Sequence, residues 1–277
     1  ACTSGTAVSN YLTGVTEAYY SHSPLLVITC DRSPYTLHQL ETQKIDQPAV
    51  FTGVVKKSVS LPVIKDADDI WYCQRLLNEA FISLKQHQSG PVHINIPLVG
   101  DTNALWNESV KKLRNGQAHK INYVSVDDTE MWQQMAKILS SKKRVIIVMG
   151  QDCSGDENLH QALMQYCSYT QVPILLDNLS NFRCSQMVWA EPVIKALNAN
   201  SIEGMLPEVV ITFGNNFQER IKDLLKAHQG KFEHWSIDQE GVVRDVFKSQ
   251  TALFECKPAY FFNYFTKNVI PTDGTYC

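Results

Sequence analysis

The sequence predicts an α/β protein of two halves, each a parallel sheet covered by helices in three layers. Three observations carry this reading. Short unbroken apolar runs at 25–29 and 145–149 have the length and the branched residues of strands buried on both faces. These runs alternate with amphipathic stretches, as in parallel sheets wrapped by helices. A length of 277 residues, at roughly 150 per domain, gives two domains.

The elements follow in order. Residues 6–21 read as a helix, with Ala7, Val8, Leu12, Val15, Ala18 and Tyr19 recurring at spacings of three and four, Ser4 or Thr6 as its cap and Pro24 ending it. After the strand at 25–29 comes an irregular polar segment to about Pro48. A second helix starts near Asp68-Asp69 and turns Ile70, Cys73, Leu77, Phe81 and Leu84 inward. Ser89-Gly90-Pro91 makes a turn, and Val92-His93-Ile94-Asn95-Ile96 alternates as a strand. Periodicity fades across 101–125, the expected linker between a first domain at 1–100 and a second at 126–277. In the second half, helices are expected after Asp127-Asp128 and at 157–169, 190–198 and 216–228. Strands are expected at 144–150, 173–176, 208–213 and near 232–237. The first half opens on a helix with no strand before it, so the chain is expected to start partway through a domain.

Composition narrows the function. A net charge of −3 with no long run of one sign argues against nucleic-acid binding. No stretch approaches the ~20 apolar residues of a membrane span, and the first residues lack the pattern of a signal peptide. The eight cysteines are scattered singly with no CxxC, which argues against structural zinc and for a reducing, cytoplasmic compartment.

Several groups stand out as sites, each with a plain alternative. Thr3-Ser4-Gly5-Thr6-Ala7 places small polar residues where a helix starts, as an anion seat or as a simple cap. Gly150-Gln151-Asp152 and Gly214-Asn215-Asn216 put Gly-led loops at strand ends, where open α/β sheets bind ligands, or where chains merely turn. Neither continues as GxGxxG. Arg32 beside Asp31 suits a carboxylate held bidentately, or a local ion pair. His93, inside an apolar strand, reads as a sheet residue rather than a base. There is no GxSxG elbow and no P-loop.

The run Thr3-Ser4-Gly5-Thr6-Ala7-Val8-Ser9-Asn10, then Pro24-Leu25-Leu26-Val27-Ile28-Thr29 and Asp31-Arg32, resembles the pyrimidine-binding domain of thiamine-diphosphate-dependent enzymes. Lys56 to Pro62, helix 67–85 and Gly90 to Pro97 continue that domain. The Asp-Arg pair and Gln43 followed by Gln47-Pro48 resemble the MenD family of menaquinone biosynthesis, 2-succinyl-5-enolpyruvyl-6-hydroxy-3-cyclohexene-1-carboxylate synthases. The second half is similar to that family's Rossmann-like central domain through Ile211-Thr212-Phe213-Gly214, Arg220-Ile221-Lys222 and Glu233-His234-Trp235.

The resemblance implies a decarboxylating transfer of the succinyl unit of 2-oxoglutarate to isochorismate, with thiamine diphosphate and Mg²⁺ as cofactors. It implies that Ser4, Gly5 and Gln43 bind cofactor and that Arg32 and Arg220 bind substrate. The activating glutamate and the metal-diphosphate site of the family have no counterpart here, so an inactive internal fragment of a homodimer or homotetramer is expected, with no catalytic or metal-binding residue of its own. Gly155-Asp156 with Asp177-Asn178 imitates the diphosphate motif, but Glu157 would set a carboxylate against phosphate. Glu219 stands where the family has lysine and Thr42 where it has asparagine, which bears on substrate. The rival readings are another thiamine-diphosphate 2-oxoacid decarboxylase or synthase, and a non-catalytic binding protein that keeps the fold.

Overall fold

The computed structural model describes residues 1–99, 119–152, 155–176, 180–183, 187–196 and 203–271. The chain divides into two compact units, Ala1–Lys120 and Ile121–Cys277. Of the expected linker 101–125, residues 101–118 lie outside the described part. Its far end is β4 (Asn122–Ser125), a strand of the second sheet. As an edge strand it is too short and too polar to show an alternation.

In the first unit, β1 (Leu26–Asp31), β2 (Lys57–Ser60) and β3 (Val92–Pro97) form a parallel sheet in the order β1-β3-β2. Cys2 adds a parallel bridge outside β1, with its N–H on the Ile28 carbonyl and its carbonyl taking the Cys30 N–H. The helix expected over 6–21 is two helices, α1 (Thr6–Ser9) and α2 (Leu12–Tyr20). Neither Ser4 nor Thr6 caps α1: its N-cap is Gly5.

The helix α3 (Ala67–Ser83) is capped by Asp66, whose carboxylate accepts the Asp69 N–H at 3.0 Å. Its core face is rotated from the expected stripe. Leu76 and Ala80 pack with Val59, Val92 and Ile94, whereas Ile70 and Phe81 are exposed. The expected contacts of Leu77 and Leu84 with this core are present. On the other sheet face Val8 and Val15 pack with Val27 and Phe51, giving helix, sheet, helix.

The second unit is a seven-stranded parallel sheet in the order β4-β10-β9-β8-β5-β6-β7. Its further strands are β5 (Val145–Met149), β6 (Ile174–Leu176), β7 (Met187–Trp189), β8 (Val209–Phe213), β9 (Glu233–Asp238) and β10 (Gln250–Glu255). The helices are α4 (Thr129–Ser140), α5 (Glu157–Thr170), α6 (Ala190–Ala196), α7 (Glu219–Ala227) and α8 (Pro258–Asn268). Along β5, Val145, Ile147 and Met149 enter one core while Ile146 and Val148 enter the other. That period of two within an all-apolar run is what a strand covered on both faces requires. Phe261, Phe262 and Phe265 of α8 are fully buried with Trp132, Trp235 and Phe254, and each such side chain contributes about 1.5–3 kcal/mol. The strands β7 and β10 and the helix α8 were not among the elements expected from the sequence. Among the described residues no helix is long and apolar enough to cross a membrane.

Candidate active site

Three strands of the first unit turn polar side chains to one face: Thr29 and Asp31 of β1, Ser58 and Ser60 of β2, His93 and Asn95 of β3. The alternation in β3 would ordinarily mark a solvated face. Here Thr29, Asp31, His93 and Asn95 are all buried, under a cover that includes Gln47 and Phe51. Buried polar groups must be paired, and these are.

Asn95 fills all four of its hydrogen-bonding positions. Its Oδ1 accepts from Thr29 Oγ1 at 2.8 Å and from Gln47 Nε2 at 2.9 Å, and its Nδ2 donates to Asp31 Oδ2 at 3.1 Å and to Ser60 Oγ at 3.2 Å. Gln47, fully buried, also donates to the Cys30 carbonyl at 3.1 Å and accepts the Gly5 N–H at 2.9 Å. Asp31 holds the Lys44 ammonium at 2.8 Å, with both side chains almost wholly buried, and takes the Arg32 N–H at 2.7 Å. Because Thr29 gives its proton to Asn95, it accepts from His93 Nε2 at 2.8 Å. The neutral imidazole then leaves Nδ1 to accept from Ser58, 2.9 Å away. Burial holds the His93 pKa down at about 4.

This network ties the loop 32–47 to the start of α1. Gly5, at φ +78°, lies against that loop so closely that a Cβ on it would stand 2.9 Å from Gln43 Cα. Gln43 itself has φ +57°. From Gln43 the side chain reaches Arg32, whose Nη2 donates to Oε1 at 3.5 Å, and Glu41 stands 3.7 Å from the same guanidinium. The structure therefore brings Gly5, Gln43 and Arg32 together and buries Ser4 beside them. The Arg32 side chain remains 44% exposed, with donors to spare for an incoming carboxylate. On the far side of the same network a cavity of about 340 Å³ opens at the strand ends, lined by Asp31, Lys44, Ser60, Asn95, Tyr35 and Leu37.

Arg220 belongs to the second unit, in the first turn of α7, where it donates to Glu191 Oε1 at 3.0 Å. Lys195 and Arg220 together hold the Glu191 carboxyl below its usual range. Glu219 is engaged by Lys222 rather than by Arg220. Asp156 of the diphosphate-like pattern is the N-cap of α5, accepting from Asn158 and Leu159 N–H; Asp177 and Asn178 lie outside the described residues. Sequence reasoning missed Lys44 and Asn95 as parts of this region and saw Gln47 only as part of a resemblance. The signal available for Asn95 was its place with His93 on the polar side of an alternating strand.

The donor set suits a thiamine-type cofactor in one respect that the structure itself supplies. An amide and a guanidinium stand side by side against a glycine that leaves no room for a side chain, so polar heteroatoms and carboxylates are the natural company of this wall.

Comparison with known proteins bears on the class first. Residues 1–50 match the family described as thiamine pyrophosphate enzyme, N-terminal TPP binding domain. More particular likenesses cover nearly the whole chain. It is 34% identical, over 94% of its length, to the 2-succinyl-5-enolpyruvyl-6-hydroxy-3-cyclohexene-1-carboxylate synthase of Bacteroides fragilis, and 35% identical over 94% to that of Bacteroides thetaiotaomicron. The synthase of Desulfotalea psychrophila is 30% identical over 99% of the chain. The chain spans about half the length of these curated relatives: 46% of the two Bacteroides proteins and 51% of the third.

Proposed function

We propose that this chain forms part of a thiamine-diphosphate-dependent synthase that joins the succinyl unit of 2-oxoglutarate, with loss of CO₂, to isochorismate. The observation that carries the reading is the wall of Gly5, Gln43 and Arg32, set in a chain about a third identical to such synthases along nearly its whole length. In this reading Ser4, Gly5 and Gln43 contact the cofactor, and Arg32 and Arg220 meet substrate carboxylates. When bound, thiamine diphosphate supplies the electron sink that allows a 2-oxo acid to lose CO₂.

The chain's own residues do the positioning. Gln47 holds the Gly5 N–H, the Lys44–Asp31 pair pins the loop base, and Arg32 offers a cation at the surface. The diphosphate and Mg²⁺ fall to residues other than those described here, and we place the working protein as a cytoplasmic homo-oligomer. The domains in this reading are a pyrimidine-binding domain ending near residue 100 and a central domain.

The test is the product. The native gene product that contains these 277 residues, given thiamine diphosphate, Mg²⁺, 2-oxoglutarate and isochorismate, is expected to release CO₂ and form the succinylated cyclohexene. Preference for pyruvate would favour an acetohydroxyacid synthase or decarboxylase instead. No turnover of any 2-oxo acid would favour a binding protein.

A further inference from the structure

We propose that the crevice at the C-terminal ends of β8 and β9 is a second binding site, for the phosphate group of a small organic phosphate. The argument starts from the strand order. From β5 the chain proceeds to β6 and β7 on one side, then returns to β8 on the other and continues to β9 and β10, so the order reverses between β5 and β8. Open parallel sheets bind ligands at such a reversal.

Here the reversal itself is closed. Gly150 N–H bonds the Phe213 carbonyl at 2.9 Å, Gln151 N–H the Asn216 carbonyl at 2.8 Å and Asn215 N–H the Gln151 carbonyl at 2.9 Å. A Cβ on Gly150 would stand 2.8 Å from the Asn215 carbonyl oxygen, so the two Gly-led loops leave no space between them. The opening lies one strand over, between β8 and β9, with a volume of about 220 Å³.

Its polar groups favour an anion. On the floor, Ser236 is 7% exposed and accepts from Gln250 Nε2 at 2.5 Å. Its hydroxyl faces the crevice. Lys222 lines the crevice from α7 and Arg244 from the loop after β9. The one carboxylate, Asp238, is already committed. Its Oδ1 accepts the N–H groups of Glu240 and Val242 at 2.9 and 3.1 Å, and its Oδ2 faces Arg244 Nη1 at 3.3 Å. Asp238 thus fixes Arg244 and leaves it other donors.

Among the described residues the ion-pair partner of Lys222 is the exposed Glu219 in its own helical turn, a contact of little worth that a bound dianion displaces. Two cations beside a hydroxyl match a dianionic phosphate better than a single carboxylate. Phe217, Val242 and Val246 give the crevice an apolar wall for the organic body. The volume falls below the roughly 300 Å³ of larger ligand sites, which limits the occupant to about one ring.

The test is calorimetric titration of the native gene product that contains these 277 residues, loaded with thiamine diphosphate and Mg²⁺, with inorganic phosphate, ribose 5-phosphate, phenyl phosphate and citrate. Saturable binding of one of the two organic phosphates is expected, at least tenfold tighter than inorganic phosphate or citrate; which of the two binds identifies the source. Lys222→Ala and Arg244→Gln should each weaken it at least tenfold, Ser236→Ala should weaken it severalfold, and Arg32→Ala in the other unit should leave it unchanged. Circular dichroism checks that each variant is folded. Absence of saturable organic-phosphate binding to the order of millimolar, equal binding of citrate, or binding that survives in a folded Lys222→Ala/Arg244→Gln double variant would overturn the proposal.

Discussion

Two constraints at position 5 admit glycine and exclude any residue with a side chain. Its φ of +78° strains an L side chain, and the Gln43 backbone occupies the place of a Cβ. Gly5→Ala should therefore destabilise the first unit by about 2 kcal/mol or more, read as a shift of the denaturant midpoint; an unshifted midpoint would mean that the loop 32–47 yields freely. His93 makes a second prediction at this scale. Its pKa falls from 6.5 in the unfolded chain to about 4 in the fold, so the folded state takes up a proton later than the unfolded state does. The stability from neutral His93 is complete above pH 6.5 and is lost as pH falls toward 4, by roughly 3 kcal/mol at most. His234 is shifted in the same direction by burial, so the comparison must be between the wild type and His93→Gln. The gap between their stability curves should narrow over that acid range, and parallel curves would contradict the assignment.

At the scale of elements, the diphosphate-like pattern at Gly155-Asp156 resolves into helix capping. Asp156→Ala should cost about 1 kcal/mol of stability and leave the affinity for thiamine diphosphate unchanged, as measured on the native gene product. A loss of affinity would restore the pattern as a site. The buried strands β1, β5 and β8 were legible because a continuous branched apolar run has few other uses, and the helices α4 and α5 because their periodicity is clear. The face of α3 was misjudged because its residues are apolar nearly all round, so spacing alone did not choose between Ile70 and Leu76. The strand β10, Gln250-Thr251-Ala252-Leu253-Phe254-Glu255, escaped notice because its ends are polar: Gln250 is buried by pairing with Ser236, a tertiary contact that no local pattern encodes. The same holds for the candidate site. Arg32 and Gln43 could be singled out by resemblance, but the network of Gln47, Asn95 and Lys44 that carries them spans residues far apart in sequence.

For the whole molecule, two self-contained parallel sheets sit in a chain that matches about half the length of its curated relatives. In the proposed reading the first sheet contributes one wall of a site, and Arg32 is the cation on that wall. Its side chain is tied to the fold by two long contacts at the surface, 3.5 Å to Gln43 and 3.7 Å to Glu41, so the fold does not depend on the guanidinium. That separates function from stability. The direct measurement is kcat/KM of the native gene product for 2-oxoglutarate and isochorismate with Arg32→Ala, beside its thermal midpoint. Loss of a charged hydrogen-bonding partner worth about 1.5–3 kcal/mol predicts a fall of roughly tenfold to a hundredfold with the midpoint unmoved. An unchanged kcat/KM in a folded Arg32→Ala protein would contradict the account.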